Sequence, residues 1–403
     1  MAILGKRSIN AKNTRGQNWV NLTLLFRKIV GKFFDTTDAL FSDSYVSASR
    51  KILQFPEPKS DTERAIYQYV CTMSRLNVVK RMLLNVGSMI TFLPYFIRFR
   101  NAVITGNIEK ADAVFFTDRI SAETIPRSLQ KKYPNIIFVR LGEKMSLSLA
   151  DSKFLFCIMK VRPCWFYFNL KVMMKLAMVS SCIRTYSPKA IITYSESSFA
   201  TSLMSQYCEK QGIEYIGIMH GERLYGLKLP FFRCSRYYAW DYDYVRLLLS
   251  MRCEASQFMV EVPDSLLLPR YKKQSTPIYD LTFYLQDETS ESLHILQRIC
   301  GLLTTRGLKI SIRPHPNYNE EDYIALLFPK VDIQTFKDVT LDVSFSSTKT
   351  VVSKFSTILY QAWYLGIPII IDDCTMPDLY RKLLDLHYIM TEKPHGLLSN
   401  LLK

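Results

Sequence analysis

The feature that most constrains this chain is a rhythm. Short β-branched and aromatic runs alternate with longer amphipathic stretches, in two series with a lapse between them. The first series is 113–116 (AVFF), 136–140 (IIFVR), 189–194 (KAIITY) and 214–219 (EYIGIM), with helical spacing over 198–210. The second is 279–285 (YDLTFYL), 308–312 (LKISI), 332–335 (DIQT), 350–352 (TVV) and 367–371 (IPIII), with helices predicted over 290–305 and 353–364. Runs this apolar suit strands buried on both faces, and strands separated by helices pair in parallel. The lapse at 256–277 is polar, Pro-punctuated and carries Lys272 and Lys273, as an inter-domain linker does. The pattern predicts an α/β protein of two Rossmann-like domains facing across a cleft, with polar residues at the carboxyl ends of the strands lining it.

Composition narrows the class. The 403 residues suit two domains, the 48% apolar content supplies a sizeable core, and 14 Gly with 17 Pro exclude a collagenous or low-complexity chain. Nine cysteines without a CxxC pair point away from a disulfide framework or zinc ribbon and toward a reducing cytoplasm. Lys and Arg number 52 against 36 Asp and Glu, a net charge of +16 that attracts any polyanion.

Three stretches bear on which polyanion. Residues 19–34 wind into a helix with Trp19, Leu22, Leu25, Phe26, Ile29, Val30 and Phe33 on one side and Arg27, Lys28 and Lys32 toward the other. That stripe suits an anionic membrane surface or packing on the chain's own domain equally well. The stretch 82–97, between Lys80 and Arg81 and Arg98 and Arg100, falls short of the ~20 residues of a span. It contains Asn85, Gly87 and Pro94 and predicts a buried or interfacial helix. Residues 154–179 interleave Phe154, Phe156, Trp165, Phe166, Tyr167 and Phe168 with Lys160, Arg162, Lys171 and Lys175, which fits lipid headgroups and nucleic acid alike. No RNP-like, KH-type or zinc-finger pattern accompanies them, so no nucleic-acid partner is expected.

Two of the five histidines sit at predicted strand ends, one in each series. His220-Gly221-Glu222 follows 214–219. Gly221 lets another group approach the backbone, and Glu222 can orient or charge the imidazole. Arg313-Pro314-His315-Pro316 follows 308–312. The prolines restrict the backbone on both sides of His315, Arg313 adds a planar cation, and together they can hold a phosphate. Ser353, Ser356 and Thr357 open a helix at the end of 350–352, offering hydroxyls and N–H groups at the positive end of its dipole. The plainer reading makes the serines N-caps and His220 an inert turn residue. Neither histidine has a third ligand at metal spacing, and Asp241-Tyr242-Asp243 reads as an N-cap at a strand-to-helix junction. No metal and no obligatory cofactor is expected, and His294, His387 and His395 are read as structural.

With the run YQAWYLGIPIII at 360–371, these motifs resemble bacterial GT-B glycosyltransferases of surface-polysaccharide biosynthesis. The similar group comprises CDP-glycerol glycerophosphotransferases, bacterial sialyl- and polysialyltransferases and capsule Kdo-transferases. The resemblance covers roughly 189–373 and is most specific at 313–316 and 356–371. It implies that His315, Ser356 and Thr357 hold the phosphate of a cytidine nucleotide donor, and Arg313 and Ser353, read above from their own chemistry, join that donor site. Gln361, where many such enzymes carry Glu, would meet the donor ribose, and His220 would act as base with Glu222 orienting it. The sialyltransferases carry an acidic pair before Gly in their N-terminal half. This chain has only Gly142-Glu143 and His-Gly-Glu, a departure that weakens the case for a sialyl donor.

The resulting expectation is a basic amphipathic extension over 1–100, an acceptor domain over 101–255, a linker over 256–277, a nucleotide-donor domain over 278–385, and a segment over 386–403 packing back on the N-terminal domain. The activity implied is transfer of a sugar from a nucleotide-activated donor to a glycan or glycolipid acceptor of a capsule, O-antigen or lipooligosaccharide. The place implied is the cytoplasmic face of a bacterial plasma membrane, on an anionic membrane surface. Two alternatives stand beside it: a polyol-phosphate transferase using a CDP-linked donor, and a non-enzymatic nucleotide- or polyanion-binding peripheral protein.

Overall fold

The computed structural model describes residues 43–102, 110–117, 122–142, 145–274 and 276–403. The 19–34 stretch and Glu143 lie outside them. Among the described residues, twelve strands form two sheets. The first holds β1 (Ala113–Phe116), β2 (Ile136–Val139), β3 (Ala190–Thr193), β4 (Glu214–Ile218), β5 (Arg236–Ala239) and β6 (Phe258–Val260), in the order β2-β1-β3-β4-β5-β6. The second holds β7 (Tyr279–Tyr284), β8 (Ile310–Arg313), β9 (Asp332–Ile333), β10 (Thr348–Ser353), β11 (Ile369–Ile371) and β12 (Gly396–Leu397), in the order β12-β11-β10-β7-β8-β9.

Every strand pair in both sheets is parallel. The chain is therefore α/β, GT-B-like, with two Rossmann-like sheets. Strands β1 and β3 are buried along their whole length, which is why they read as unbroken apolar runs. Strand order reverses between β1 and β3 in the first sheet and between β7 and β10 in the second, the positions where such sheets open a crevice at their carboxyl ends.

The structure redraws several edges. Phe258–Val260, inside the expected linker, pairs with β5 and extends the first sheet, and a short helix at Asp264–Leu267 follows. As an edge strand of three residues with Met259 and Val260 exposed, it lacks the apolar run that marks a central strand. Gly396–Leu397 pairs with β11, so the C-terminal segment completes the second sheet. The same segment also reaches the first half, where Tyr225 N–H donates to the Leu386 carbonyl at 2.7 Å.

The described part of the N-terminal extension is a packed layer of the first half. In the Asp61–Ser74 helix, Arg64 donates to the Arg252 carbonyl at 3.0 Å and pairs with Glu254 at 2.7 Å. Gln68, fully buried, donates to the carbonyls of Glu196 and Lys228, both at 2.8 Å. The basic-aromatic stretch 154–179 divides. Tyr167 and Phe168 belong to the Phe166–Tyr186 helix and lie in the core, while Phe156 is exposed on the Leu149–Met159 helix.

One apolar core runs through both halves. Tyr360 of the Thr357–Tyr364 helix packs against Trp240 with ring centroids 5.1 Å apart and against Tyr244 at 5.5 Å. Aromatic pairs of this kind contribute about 0.5–1.5 kcal/mol each beyond their buried area, so the halves are joined by packing as well as by chain.

In β4, Gly217 lies so close to β5 that a Cβ there would sit 2.6 Å from Cδ2 of Tyr237. Gly217→Ala is expected to destabilise the fold by about 1–3 kcal/mol, seen as a lower urea midpoint at unchanged slope. An unchanged midpoint would mean that the ring moves aside without cost.

Candidate active site

Because both sheets are parallel, the residues that follow each strand collect at one edge. In the first half, β3 runs into Tyr194-Ser195-Glu196 and β4 into His220-Gly221-Glu222-Arg223. Arg223 organises this turn. Its Nη1 donates to the carbonyls of Gly221 at 2.9 Å and Glu222 at 3.0 Å, while Nη2 pairs with the buried Glu196 carboxylate. Burial pushes the Glu196 pKa up, opposed by the Arg223 charge.

The same Nη2 lies 3.2 Å from His220 Nδ1, and Glu196 Oε1 lies 4.0 Å from it. A guanidinium only donates, so Nδ1 accepts and the neutral ring carries its proton on Nε2. The imidazole leans on the Tyr194 ring at 4.3 Å between centroids and is 45% exposed. Gly221 leaves room over the turn, since a Cβ there would meet only Arg223 Nη1, at 3.7 Å.

Glu222 does not take the place expected of it. Its Oε2 accepts from the Tyr244 hydroxyl at 2.6 Å, and its Oε1 is buried without a hydrogen-bond partner. Burial pushes its pKa up to about 8, with the Tyr244 bond and the Arg223 charge pulling the other way. Glu196 is the carboxylate at the imidazole. It comes from a different strand, so no local spacing could reveal it, and its one sequence signal is its place just past the run KAIITY.

In the second half, β8 leads into Arg313-Pro314-His315-Pro316. His315 N–H donates to Asn319 Oδ1 at 2.7 Å, Asn317 N–H donates to His315 Nδ1 at 3.1 Å, and the ring packs on Tyr318 at 4.4 Å. Here too Nδ1 accepts, which leaves Nε2–H as the donor. Arg313 is partly buried with Nη1 unpartnered, and burial lowers its pKa. A guanidinium nonetheless stays protonated, so Arg313 is a cation short of acceptors.

The helix after β10 shows what its serines do. Ser353 Oγ donates to the Tyr284 carbonyl at 2.8 Å, so that hydroxyl is spent inside the sheet. Ser356 is a true N-cap, accepting from Ile358 N–H at 3.2 Å, and it also accepts from Gln286 Nε2 at 3.0 Å. Thr357 opens the helix beside it. Gln361 is buried and its Nε2 donates to the Ser265 carbonyl at 3.0 Å, which ties the helix to the end of the first half.

Sequence reading passed over Lys354, buried and ion-paired with buried Glu288 at the reversal point between β7 and β10. Removing one partner of such a pair typically costs about 3–5 kcal/mol. The other acidic candidate is also accounted for. Asp241 Oδ1 caps its helix, accepting from Asp243 N–H at 2.9 Å and Tyr244 N–H at 3.2 Å, and Lys393 pairs with both Asp241 and Asp243.

The structure thus gathers His220, Glu196, Arg223 and Tyr194 at one edge. At the other edge it gathers Gln286, Glu288, Lys354, Ser356 and Thr357, with Arg313 and His315 on the neighbouring strand. A cavity of about 680 Å³ between the halves, lined by Arg50, Asp243, Arg246 and His387 among others, includes none of the sequence-predicted site residues.

No protein-family model and no curated protein matches the sequence. Among solved structures, the chain is similar to the wall teichoic acid polymerase TagF at 11% identity, over 81% of this chain and 89% of that one, with a TM-score of 0.44. It is also similar to a putative UDP-N-acetylglucosamine 2-epimerase from Listeria monocytogenes at 10% identity, 69% and 88% coverage and a TM-score of 0.43. A third similar structure is the UDP-GlcNAc 2-epimerase from Neisseria meningitidis, at 15% identity, 67% and 84% coverage and a TM-score of 0.40. Likeness at this level is one of chain path, and the chemistry has to come from the residues.

The raised pKa of Glu222 has a thermodynamic consequence. The folded chain favours the neutral acid, so the contribution of this group to stability is full below its ordinary value of 4.5 and is lost as pH rises through about 8. Across that window the melting temperature of the parent is expected to fall more steeply than that of Glu222→Gln, which keeps an acceptor for Tyr244. Parallel profiles would show that Glu222 is already ionised at neutral pH.

Proposed function

We propose that the protein is a GT-B glycosyltransferase that moves a sugar from a nucleotide-activated donor to a lipid-linked or growing bacterial surface polysaccharide. The observation that carries this reading is the pairing of two unlike clusters. An imidazole backed by a buried carboxylate ends a strand of one sheet. An anion-binding set of Arg313, His315 and the helix start at Ser356 and Thr357 ends strands of the other. The Tyr360–Trp240 contact couples the two edges.

In this reading the donor phosphate sits in the second half, where Arg313, His315 Nε2–H and the first N–H groups of the helix stabilise the charge left on it. The acceptor oxygen bonds to the anomeric carbon as the sugar–phosphate bond breaks, the electron pair leaves with the phosphate, and the acceptor proton goes to His220. Protein cations supply the charge stabilisation, and the reading requires no metal or other cofactor.

Base action at His220 Nε2 requires the ring proton on Nδ1. The Arg223 contact holds the opposite tautomer, so that contact must give way and let Glu196, 4.0 Å off, receive the Nδ1–H. Glu196 is then a positioning residue for the base, the role the sequence suggested for Glu222.

Thermal stabilisation by CMP, CDP, UDP and GDP tests the donor site, because a ligand of the native state raises the melting temperature. One nucleotide is expected to stabilise the parent and to lose its effect in His315→Ala, and no shift with any nucleotide would overturn the reading. His220→Ala is expected to keep the nucleotide shift while losing turnover by about 10²–10⁴-fold. A phosphodiester rather than a glycosidic product would reassign the chemistry to polyol-phosphate transfer.

A further inference from the structure

The Val78–Arg100 helix is two-sided in an unusual sense. Leu84, Ser88, Tyr95 and Phe99 are buried, and the helix packs along the Phe166–Tyr186 helix, itself mostly interior. Its opposite face is apolar and open to solvent: Met82, Leu83, Val86, Met89, Ile90, Leu93 and Ile97 are all exposed, with Ile90 at 67% and Leu93 at 60%. Scattered exposed apolar residues are ordinary, but a contiguous strip four turns long is not. Phe156 of the neighbouring helix widens the strip, its ring 5.6 Å from that of Phe96 and its side chain exposed.

Charge says what covers this face. From Met82 to Ile97 there is no charged residue, and the strip ends in Lys80 and Arg81 on one side and Arg98 and Arg100 on the other. Lys153, on the helix that carries Phe156, and Lys160 and Arg162 just after it are exposed. The helix contains no acid, and the one acid in 149–165, Asp151, is buried with Ser180 and Tyr207 bonded to it. An apolar strip framed only by cations complements a surface that is apolar beneath and anionic at its rim. A second copy of the same face would set like charges together.

We propose that the Val78–Arg100 helix, with Phe156 beside it, is a monotopic membrane-insertion element that lies in the plane of an anionic bilayer. With 23 residues the helix is long and apolar enough to cross a membrane. Crossing the bilayer would strip Leu84, Ser88, Tyr95 and Phe99 from the core, so the packed face holds the helix flat while the exposed face dips among the lipids. Of the three polar residues within the strip's length, Ser88 is buried, Thr91 Oγ1 donates to the Gly87 carbonyl at 2.8 Å, and Asn85 is turned to the protein. Its Nδ2 donates to the Cys164 carbonyl at 3.0 Å and its Oδ1 accepts from Tyr167 N–H at 3.2 Å. This inference goes beyond the proposed activity and stands without it, since lipid binding is read with no nucleotide present.

The test is co-sedimentation of the full chain with vesicles of phosphatidylcholine alone and with a third of phosphatidylglycerol, at low and high salt. The comparison is the double variant Ile90→Glu/Leu93→Glu, whose sites touch no core. The parent is expected to bind the anionic vesicles at least tenfold more tightly than the neutral ones, with salt weakening the difference. The variant is expected to lose at least tenfold in binding while keeping the parent's melting temperature. A parent that ignores both vesicles, or a variant that binds as the parent does, overturns the proposal. So does a parent that light scattering shows as a dimer and that the same variant turns into a monomer, which would give the face to a second copy.

Discussion

Wholly parallel pairing is the constraint on which this molecule depends. Each parallel strand must be followed by a crossover that returns over the sheet, so every strand starts at the same edge and ends at the opposite one. All the loops that follow strands then gather at one edge, and neighbours in space come from distant parts of the sequence. Glu196 and His220 meet because β3 and β4 are adjacent, and Gln286 reaches Ser356 because β7 lies beside β10. The same pairing buries the central strands on both sides and expels polar residues to the edges where chemistry is possible.

Arg223 shows how much a single buried cation can organise. It closes the His220-Gly221-Glu222 turn through two carbonyls, neutralises Glu196 and sets the tautomer of His220. Gln68, from the N-terminal layer, holds the Glu196 carbonyl from behind, so residues far from the motif help support its geometry. Lys354 and Glu288 form a comparable buried pair in the second half. Pairs of this kind are costly to bury and costlier to break, so they specify one arrangement of the loops more than they add to stability.

The halves are coupled through the helix that follows β10. The helix opened by Ser356 carries Tyr360 onto Trp240 and Tyr244, and Gln361 onto the Ser265 carbonyl. Tyr388, from the C-terminal segment, donates its hydroxyl to the Ser356 carbonyl at 3.3 Å. A ligand that shifts the start of this helix would be felt at the first sheet through packed rings, because close-packed aromatic contacts move as units.

Much of the fold was legible because periodicity survives in a single sequence. The runs at 113–116, 190–193 and 279–284 are strands in the structure, and the 290–305 helix has the predicted bounds, since fully buried strands and amphipathic helices leave strong patterns. The edge strands β2 and β9 were legible too, but β6 and β12, of three and two residues and without an apolar run of their own, were hidden in stretches read as linker and tail. At the site, the histidines, the Arg-Pro-His-Pro turn and the Ser356 cap stood out because each is local in sequence. By itself the sequence determined the α/β class, the two sheets and the strand ends at which polar residues would gather. Only the tertiary structure decided that Glu196 lies beside His220 while Glu222 turns to Tyr244, that Gln361 bonds the Ser265 carbonyl, and that the 82–97 strip is buried on one face and bare on the other. Those outcomes depend on which strands and helices become neighbours, and neighbourhood across a parallel sheet is set by crossovers that no local spacing records.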